Sequence, residues 1–476
     1  MNKAKRAVAL IILDGFGYNV TIKNSAITQQ TMPFFFSLLD SYPWTTLQAS
    51  GTSVGLPAGT PGNSSVGHFT LGAGQIIQQP LTEFSLLIQK HTLCTLPIIQ
   101  KNFTQLAQAG KTLHILGLMS DGNSHSRLEF TQAIIGCARK YHIKSLKVHA
   151  ILDGRDVPQK SAAQFLSKID APIVTIQGRL YAMDRNQDQQ RLERGYMVIT
   201  QQRANNTAQS WQDALDYYYK KGFNDETIPP TQLTADATIQ PGDGLVFVNI
   251  RADREREIYR LLKNNSDLSF LITGINYDDD PKAEAICKTP QAQHTLGDYL
   301  EKHAISQFTI AESEKYAHVT YFFNGGRQAI HPNETRVIIE SDNPVNFIHE
   351  PAMKAGEITR ALLHAAHTQT AQFYLVNYAN ADMVGHSGDL PATKKAARVL
   401  DEQLKQLYKV FVQELGGTLY ITGDHGNAED KSNHNPAHTT NPVYFLIVSN
   451  PPCDKKILMH MKTLADAKEV IIKNSL

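Results

Sequence analysis

Short apolar runs alternate with longer amphipathic segments along almost the whole chain, and no other feature restricts its fold so tightly. Runs fall at 7–13, then at 113–119, 146–152, 173–176, 245–250 and 270–273, and again at 308–311, 319–323, 336–340, 373–376, 419–422 and 443–448. Helical periodicity occupies 32–40, 295–303, 356–368, 393–415 and 464–472. This alternation predicts an α/β fold of mostly parallel sheets flanked by helices, with 79–290 forming a sheet of its own. A Pro/Asp-rich stretch at 276–281 is the nearest thing to a linker. With 476 residues there is material for two or three cores.

Charge and cysteine usage narrow the function. Lys+Arg number 46 against 45 for Asp+Glu, a net charge of +1, so no global field steers the chain to nucleic acid or anionic membrane. Cys94, Cys137, Cys287 and Cys453 are widely spaced without a C-x-x-C pair. That spacing argues against a disulfide framework and a cysteine zinc site, and fits a reducing cytoplasm. Lys3, Lys5 and Arg6 ahead of 7–13 imitate a signal peptide. The run is short, lacks a small-residue cleavage site and ends in Asp14-Gly15, so a buried strand is expected. No apolar run approaches the length that spans a bilayer.

In parallel sheets, ligands bind at the carboxyl ends of strands, and the polar residues of this chain gather there. Asp14 follows the first run; Asp382 and His386 follow 373–376; Asp424 and His425 follow 419–422; His438 precedes 443–448. Three aspartates and three histidines are more ligands than one ion needs, and mixed O/N donors suit Mn²⁺ or Zn²⁺ rather than Ca²⁺. His318, His331, His349, His364 and His367 read as ordinary loop or surface residues, and His434 ranks below His438. The glycine-rich stretch 62–74 sets Ser64 where helical spacing begins. Alone it offers a nucleophile, a phosphate cradle or a capped turn. Beside two metal ions the serine hydroxyl would be activated as a nucleophile.

The middle series ends its strands differently, with Ser120 to His125, Asp153-Gly154-Arg155-Asp156, Gly178-Arg179 through Asp184-Arg185, and Asn249-Ile250-Arg251-Ala252-Asp253-Arg254. Any one of these arginines reads as a local ion pair. Five converging on one cleft imply a small, doubly anionic substrate. Arg191 and Arg194 read as a solvated face.

Taken together, these motifs resemble the cofactor-independent phosphoglycerate mutases of the alkaline phosphatase superfamily. The likeness runs nearly end to end. It includes the serine motif, Asp153 to Pro158, Tyr181 to Arg185, Glu314 to Thr320, Asp382/His386, Asp424-His425-Gly426 and His438 to Pro442. The resemblance implies a discontinuous metal-binding, phosphatase-like domain at 1–78 and 290–476, with a substrate-binding domain inserted at 79–289. It implies two Mn²⁺, with Zn²⁺, Co²⁺ or Mg²⁺ as substitutes, and no 2,3-bisphosphoglycerate. Asp382, His386 and His438 would hold one ion, and Asp14, Ser64, Asp424 and His425 the other. Ser64 would carry the phosphoryl group between 3-phosphoglycerate and 2-phosphoglycerate, with Lys315 stabilising it in transit. His125, Arg155, Asp156, Arg179, Arg185, Arg251 and Arg254 would hold substrate, Asp156 also handling a hydroxyl proton. A cytoplasmic monomer with no nucleic-acid or membrane partner is expected.

Three positions depart from the family pattern: Ser65 for a usual glutamate, Arg127 for a common histidine and Ala252 for a usual proline. The ligand set alone would also serve a metal-dependent phosphatase or another phosphomutase. The recurrent arginines argue against a plain hydrolase, which has less need to retain its product. Ser64 and Lys315, present with every ligand, argue against a non-catalytic binding protein.

Overall fold

A computed structural model of the chain describes all residues except 1–6, 20–22, 184–187, 202–205, 279 and 343–346. The chain divides into two compact units, Met1–Gln79 with Pro290–Leu476, and Pro80–Thr289. Each is built on one seven-stranded sheet.

In the first unit the strand order is Glu334–Ile339, Gln307–Glu312, Phe373–Tyr378, Val8–Leu13, Thr418–Gly423, Val443–Ser449, Trp44–Leu47. The first five pair in parallel, and both pairings of Val443–Ser449 are antiparallel. Val8–Leu13 is central and every residue in it is buried, which is why its sequence is an unbroken apolar run. Helices Ala355–His367 and Leu390–Leu407 contribute Ile358, Leu362, Leu400 and Leu404 to the core over this sheet.

The sequence is misleading at 319–323, where a β-branched and aromatic run predicts a strand. His318–Phe322 instead forms a wide helical turn. Tertiary packing overrides local propensity here. Helix Ser64–Ala73 lies so close that a Cβ at Gly72 would sit 1.9 Å from the Phe323 carbonyl oxygen. Likewise, the helix expected at 393–415 is regular only over Leu390–Leu407 and widens at Tyr408–Glu414.

In the second unit the order is Thr231–Gln232, Ile173–Gly178, Ser145–Leu152, Thr112–Leu118, Asp243–Phe247, Leu268–Thr273, Glu284–Ala285. All pairings but that of Thr231–Gln232 are parallel. A disulfide joins Cys94 to Cys137, with Cα atoms 5.2 Å apart. This corrects the expectation drawn from cysteine spacing. The partners are 43 residues apart, and they meet only because the turn Leu93–Thr95 lies beside helix Leu128–Lys140. No helix among the described residues is long and apolar enough to cross a membrane.

A polar chain also runs through the apolar interior of this unit. His149 Nδ1 lies 2.9 Å from Thr175 Oγ1, His149 Nε2 lies 2.8 Å from His114 Nδ1, and His114 Nε2 lies 3.1 Å from Asp243 Oδ2. Burial lowers the pKa of both histidines, and the Lys147 charge adds to this. The Asp243 and Asp236 carboxylates only partly offset the shift at His114. Both therefore titrate below the ordinary value of about 6.5. Only the unfolded chain takes up these protons as pH falls below that value, so this contribution to stability is full above pH ~6.5 and shrinks below it. Hydrogen exchange in Thr112–Leu118 and Ser145–Leu152 is expected to lose protection between about pH 6.5 and 5, and less so in His149→Gln.

Candidate active site

The first unit's sheet assembles its polar loops by register. Leu13 pairs with Tyr378 on one side and Gly423 on the other, so Asp14, the loop leading to Asp382 and the loop at Asp424 leave the sheet side by side. Asp382 lies in the short helix Asn380–Gly385, and His386 follows one turn later on the same face. Helix Ser64–Ala73 starts over these loops. Asn63 caps it, its side chain accepting from Val66 N–H at 3.2 Å, which leaves the Ser64 hydroxyl free of the capping role. At Gly67 a Cβ would stand 2.3 Å from the Asp424 carbonyl oxygen, so glycine allows the helix to rest directly on that loop.

Lys315 Nζ donates to Asp14 Oδ1 at 2.7 Å, Ser64 Oγ at 2.7 Å and Asp382 Oδ2 at 2.6 Å. Ser64 Oγ lies 3.0 Å from both Asp14 Oδ1 and His425 Nε2. His386 Nε2 and His438 Nε2 lie 3.3 and 3.2 Å from Asp382 Oδ1. Both rings are oriented from behind: His386 Nδ1 is 2.9 Å from the Pro436 carbonyl and His438 Nδ1 2.8 Å from that of Gly62. With Nδ1–H donating to a carbonyl, Nε2 keeps its lone pair for a metal.

Asp14, Asp382 and Asp424 are each at most 2% exposed, and Lys315 is the buried cation that touches two of them. Even with the buried His425 imidazole counted as a second cation, three buried carboxylates are not balanced. Asp424 Oδ2 has no hydrogen-bond partner. His68 Nδ1 lies 3.1 Å from it but is engaged by the Ser64 carbonyl at 2.9 Å. Ligand atoms of Asp382, His425 and His438 lie within 4.8 Å of one another, as do those of Asp14, Asp424 and His425. The negative excess, the unsatisfied oxygen and the mixed O/N donors all fit divalent cations.

Electrostatics points the same way. Burial raises the Asp14 and Asp382 carboxyls, but the Lys315 charge, together with His425 at Asp14 and with His386 and His438 at Asp382, outweighs it and both fall below the usual carboxylate range. Burial pulls His425 down, yet the Asp424, Asp14 and Asp382 carboxylates overcome it and push the imidazole up to about 9. Partial burial, with the charge on His425, draws His438 down to about 4.

Several supporting residues escape sequence reading. Asn377 Nδ2 donates to Asp14 Oδ2 at 2.7 Å, and Asn427 Nδ2 to Asp382 Oδ1 at 2.8 Å. Glu429 accepts from Asn427 N–H at 2.7 Å and from Thr439, tying the Asp424 loop to that of His438. Buried Lys431, pulled down to about 8 by burial, donates to Asn427. A polar residue in the run Phe373–Tyr378 was the available signal for Asn377. His434 stays apart, with Nδ1 3.3 Å from the Gly388 carbonyl.

The second unit gathers the other candidates at its strand ends. Arg179 Nη1 donates to Asp153 Oδ1 at 2.6 Å and Asp156 Oδ2 at 2.7 Å. Asp153 also accepts from Ser120 Oγ at 2.6 Å and from the backbone N–H of Asp156 at 3.0 Å. Burial raises Asp156, but Arg179, His125 and Arg251 bring it below its ordinary value. Arg251 Nε lies 2.6 Å from Asp253, and Arg254 Nη1 donates to the Met183 carbonyl at 3.4 Å. Arg155 is the outlier, with its side chain 56% exposed and 3.5 Å from Glu226. The neighbours Arg155 and Asp156 therefore do not pair with each other. Arg194 stacks over Tyr181, 5.1 Å from the ring centroid. Arg185 lies outside the described residues.

A serine at a helix start, facing three buried carboxylates and imidazoles arranged to bind cations, defines a metalloenzyme. Residues 6–476 match the model of the Metalloenzyme superfamily. Curated relatives include the 2,3-bisphosphoglycerate-independent phosphoglycerate mutases of Symbiobacterium thermophilum, 37% identical over 96% of this chain and 93% of the relative, and of Clostridium acetobutylicum, 38% identical over 95% and 94%. Among solved structures, a Leishmania mexicana phosphoglycerate mutase determined at low cobalt concentration matches with a TM-score of 0.84 and 28% identity, over 99% of this chain and 95% of that one. The chain belongs to the family of 2,3-bisphosphoglycerate-independent phosphoglycerate mutases.

Proposed function

We propose that this protein interconverts 3-phosphoglycerate and 2-phosphoglycerate in glycolysis and gluconeogenesis, through a phosphoserine at Ser64 and without added 2,3-bisphosphoglycerate. The observation that carries the reading is the placement of Ser64 Oγ within hydrogen-bond distance of Lys315, Asp14 and His425. Asp382, His386 and His438 would hold one ion, and Asp14, Ser64, Asp424 and His425 a second, both Mn²⁺ in this reading. Bound there, such ions supply Lewis acidity and lower the pKa of the serine hydroxyl.

Ser64 Oγ attacks phosphorus as the P–O3 bond breaks, and the Oγ proton ends on the departing 3-oxygen. Lys315, held at full charge by Asp14 and Asp382 against the opposing effect of burial, neutralises the group in transit. The arginine loops of the second unit retain glycerate by its carboxylate. In this reading Asp156, kept as a carboxylate by Arg179, takes the proton of the glycerate 2-hydroxyl; that oxygen forms the P–O2 bond as P–Oγ breaks, and Oγ recovers a proton. Holding glycerate away from bulk water is what separates a mutase from a phosphatase.

Purified protein with Mn²⁺ is expected to convert 3-phosphoglycerate to 2-phosphoglycerate with no 2,3-bisphosphoglycerate added. Release of inorganic phosphate instead would identify a phosphatase, and neither product a binding protein. A cytoplasmic, monomeric state belongs to the same reading and is checked by fractionation and size-exclusion chromatography. Because His425 is protonated near neutral pH without metal, ion binding at pH 7.5 should release about one proton from it. Calorimetry in two buffers of different ionisation enthalpy measures this, and an absence of buffer dependence would remove His425 from the ligand set.

A further inference from the structure

The charged run Arg251 to Glu257 opens helix Arg256–Lys263, and charged residues in a helix's first turn normally face water. Glu255 does not: it is fully buried, whereas the side chain of Glu257 is 31% exposed. Its Oε1 accepts from Asn249 Nδ2 at 2.8 Å and lies 2.9 Å from His125 Nδ1, while Oε2 accepts from Arg254 N–H at 3.2 Å. Asn249 is itself fixed, its Oδ1 accepting from Leu118 N–H at 2.9 Å. The carboxylate is thus braced from the strand, and its exchangeable partner is an imidazole.

His125 is 2% exposed, and its carbonyl accepts from Ile250 N–H at 2.8 Å. Nδ1 is committed to Glu255; Nε2 has no hydrogen-bond partner among the described residues. Its charge also acts on Asp156, so the ring belongs to the cluster of Arg179, Asp156 and Arg251. A buried carboxylate that merely packed a helix start would be costly compared with an apolar side chain of similar size. Ligand atoms of His125, Asp253 and Glu255 do lie within 4.8 Å of one another. A cation there is disfavoured, because Asp253 is paired with Arg251 and Glu255 with the Arg254 backbone.

We propose that Glu255 is a positioning residue acting through His125: it accepts the Nδ1 proton and holds the ring in one orientation, so that Nε2 faces the substrate, accepting from a hydroxyl while unprotonated and donating to an anionic group once it takes up a proton. This rests on the mutase reading, in which His125 contacts substrate. The carboxylate also balances the ring's charge whenever Nε2 holds a proton. A free imidazole would divide its proton between the two nitrogens and its orientation between two flips.

The test uses full-length protein as wild type, Glu255→Gln, Glu255→Ala, His125→Ala and the His125→Ala/Glu255→Ala double variant. In the mutase assay Glu255→Ala should lower kcat/KM about 10- to 100-fold. In the His125→Ala background the same change should have an effect of less than about 2-fold, since the residue it acts through is gone. Glu255→Gln, whose amide oxygen still accepts from Nδ1–H, should keep most of the activity. Long-range ¹⁵N–¹H correlation of labelled histidines should find the wild-type His125 proton on Nδ1, and a mixture of tautomers in Glu255→Ala. Equal losses in both backgrounds, a wild-type His125 protonated on Nε2 alone, or displacement of the Nδ1 proton by Mn²⁺ would each overturn the proposal. The spectra need no substrate, so an inactive wild type would overturn the mutase reading while still deciding this one. Should Glu255→Ala fail to fold, the wild-type spectrum and Glu255→Gln decide it.

Discussion

Ser64→Ala is expected to abolish mutase turnover, by at least about 10⁴-fold, because in the proposed mechanism every transfer passes through its Oγ. The fold should survive. Lys315 keeps Asp14 and Asp382, Asn63 still caps the helix, and only one hydroxyl's contacts are lost. Mass spectrometry of enzyme quenched with substrate should find phosphate on Ser64 in wild type and none in the variant. Activity above about one part in a hundred of wild type would rule out the covalent route.

Lys315→Met is the second large effect. The ammonium lies between two buried carboxylates, its side chain 5% exposed, and removing it strands both. Turnover should fall about 10³-fold through loss of charge stabilisation on the transferring group. In the metal-free protein, breaking this buried pair should cost roughly 3–5 kcal/mol of stability, read from urea unfolding in the presence of a chelator. Mn²⁺ should restore part of it by replacing the missing positive charge. The pH dependence should also change sign. With Lys315 present, Asp14 and Asp382 titrate below their unfolded values, so their contribution is present at neutral pH and is lost only in strong acid. Without it, burial and mutual repulsion raise at least one of them above about 3.9, so relative to wild type the metal-free variant should gain stability as pH falls toward that raised value. A variant as stable as wild type and with the same pH dependence would show that Lys315 does not balance these carboxylates.

The candidate site residues were legible because metal-ligand chemistry restricts residue type. Asp14, Asp382, Asp424 and the three histidines stand at the ends of apolar runs, where few other roles call for them. Their supporters were not legible. Asn377, Asn427, His68 and Glu429 are common residue types whose roles depend on what lies across the sheet, as Asn377 Nδ2 on Asp14 Oδ2 shows. Glu255 stands among charged residues with no motif to mark it, and only burial against His125 distinguishes it from Glu257. The turn at His318–Phe322 and the Cys94–Cys137 pair were misread for a related reason: local composition favoured strand and free thiol, and distant packing decided otherwise.

By itself, then, the sequence determined the α/β alternation, the loops that carry function and the kinds of group gathered in them, because hydrophobic period and ligand chemistry are properties of residue order. Tertiary structure alone decided which loops meet. Val8–Leu13 pairs with both Phe373–Tyr378 and Thr418–Gly423, strands several hundred residues away along the chain. That register sets Asp14 beside Asp382 and Asp424, and leaves three buried carboxylates in need of more positive charge than Lys315 provides.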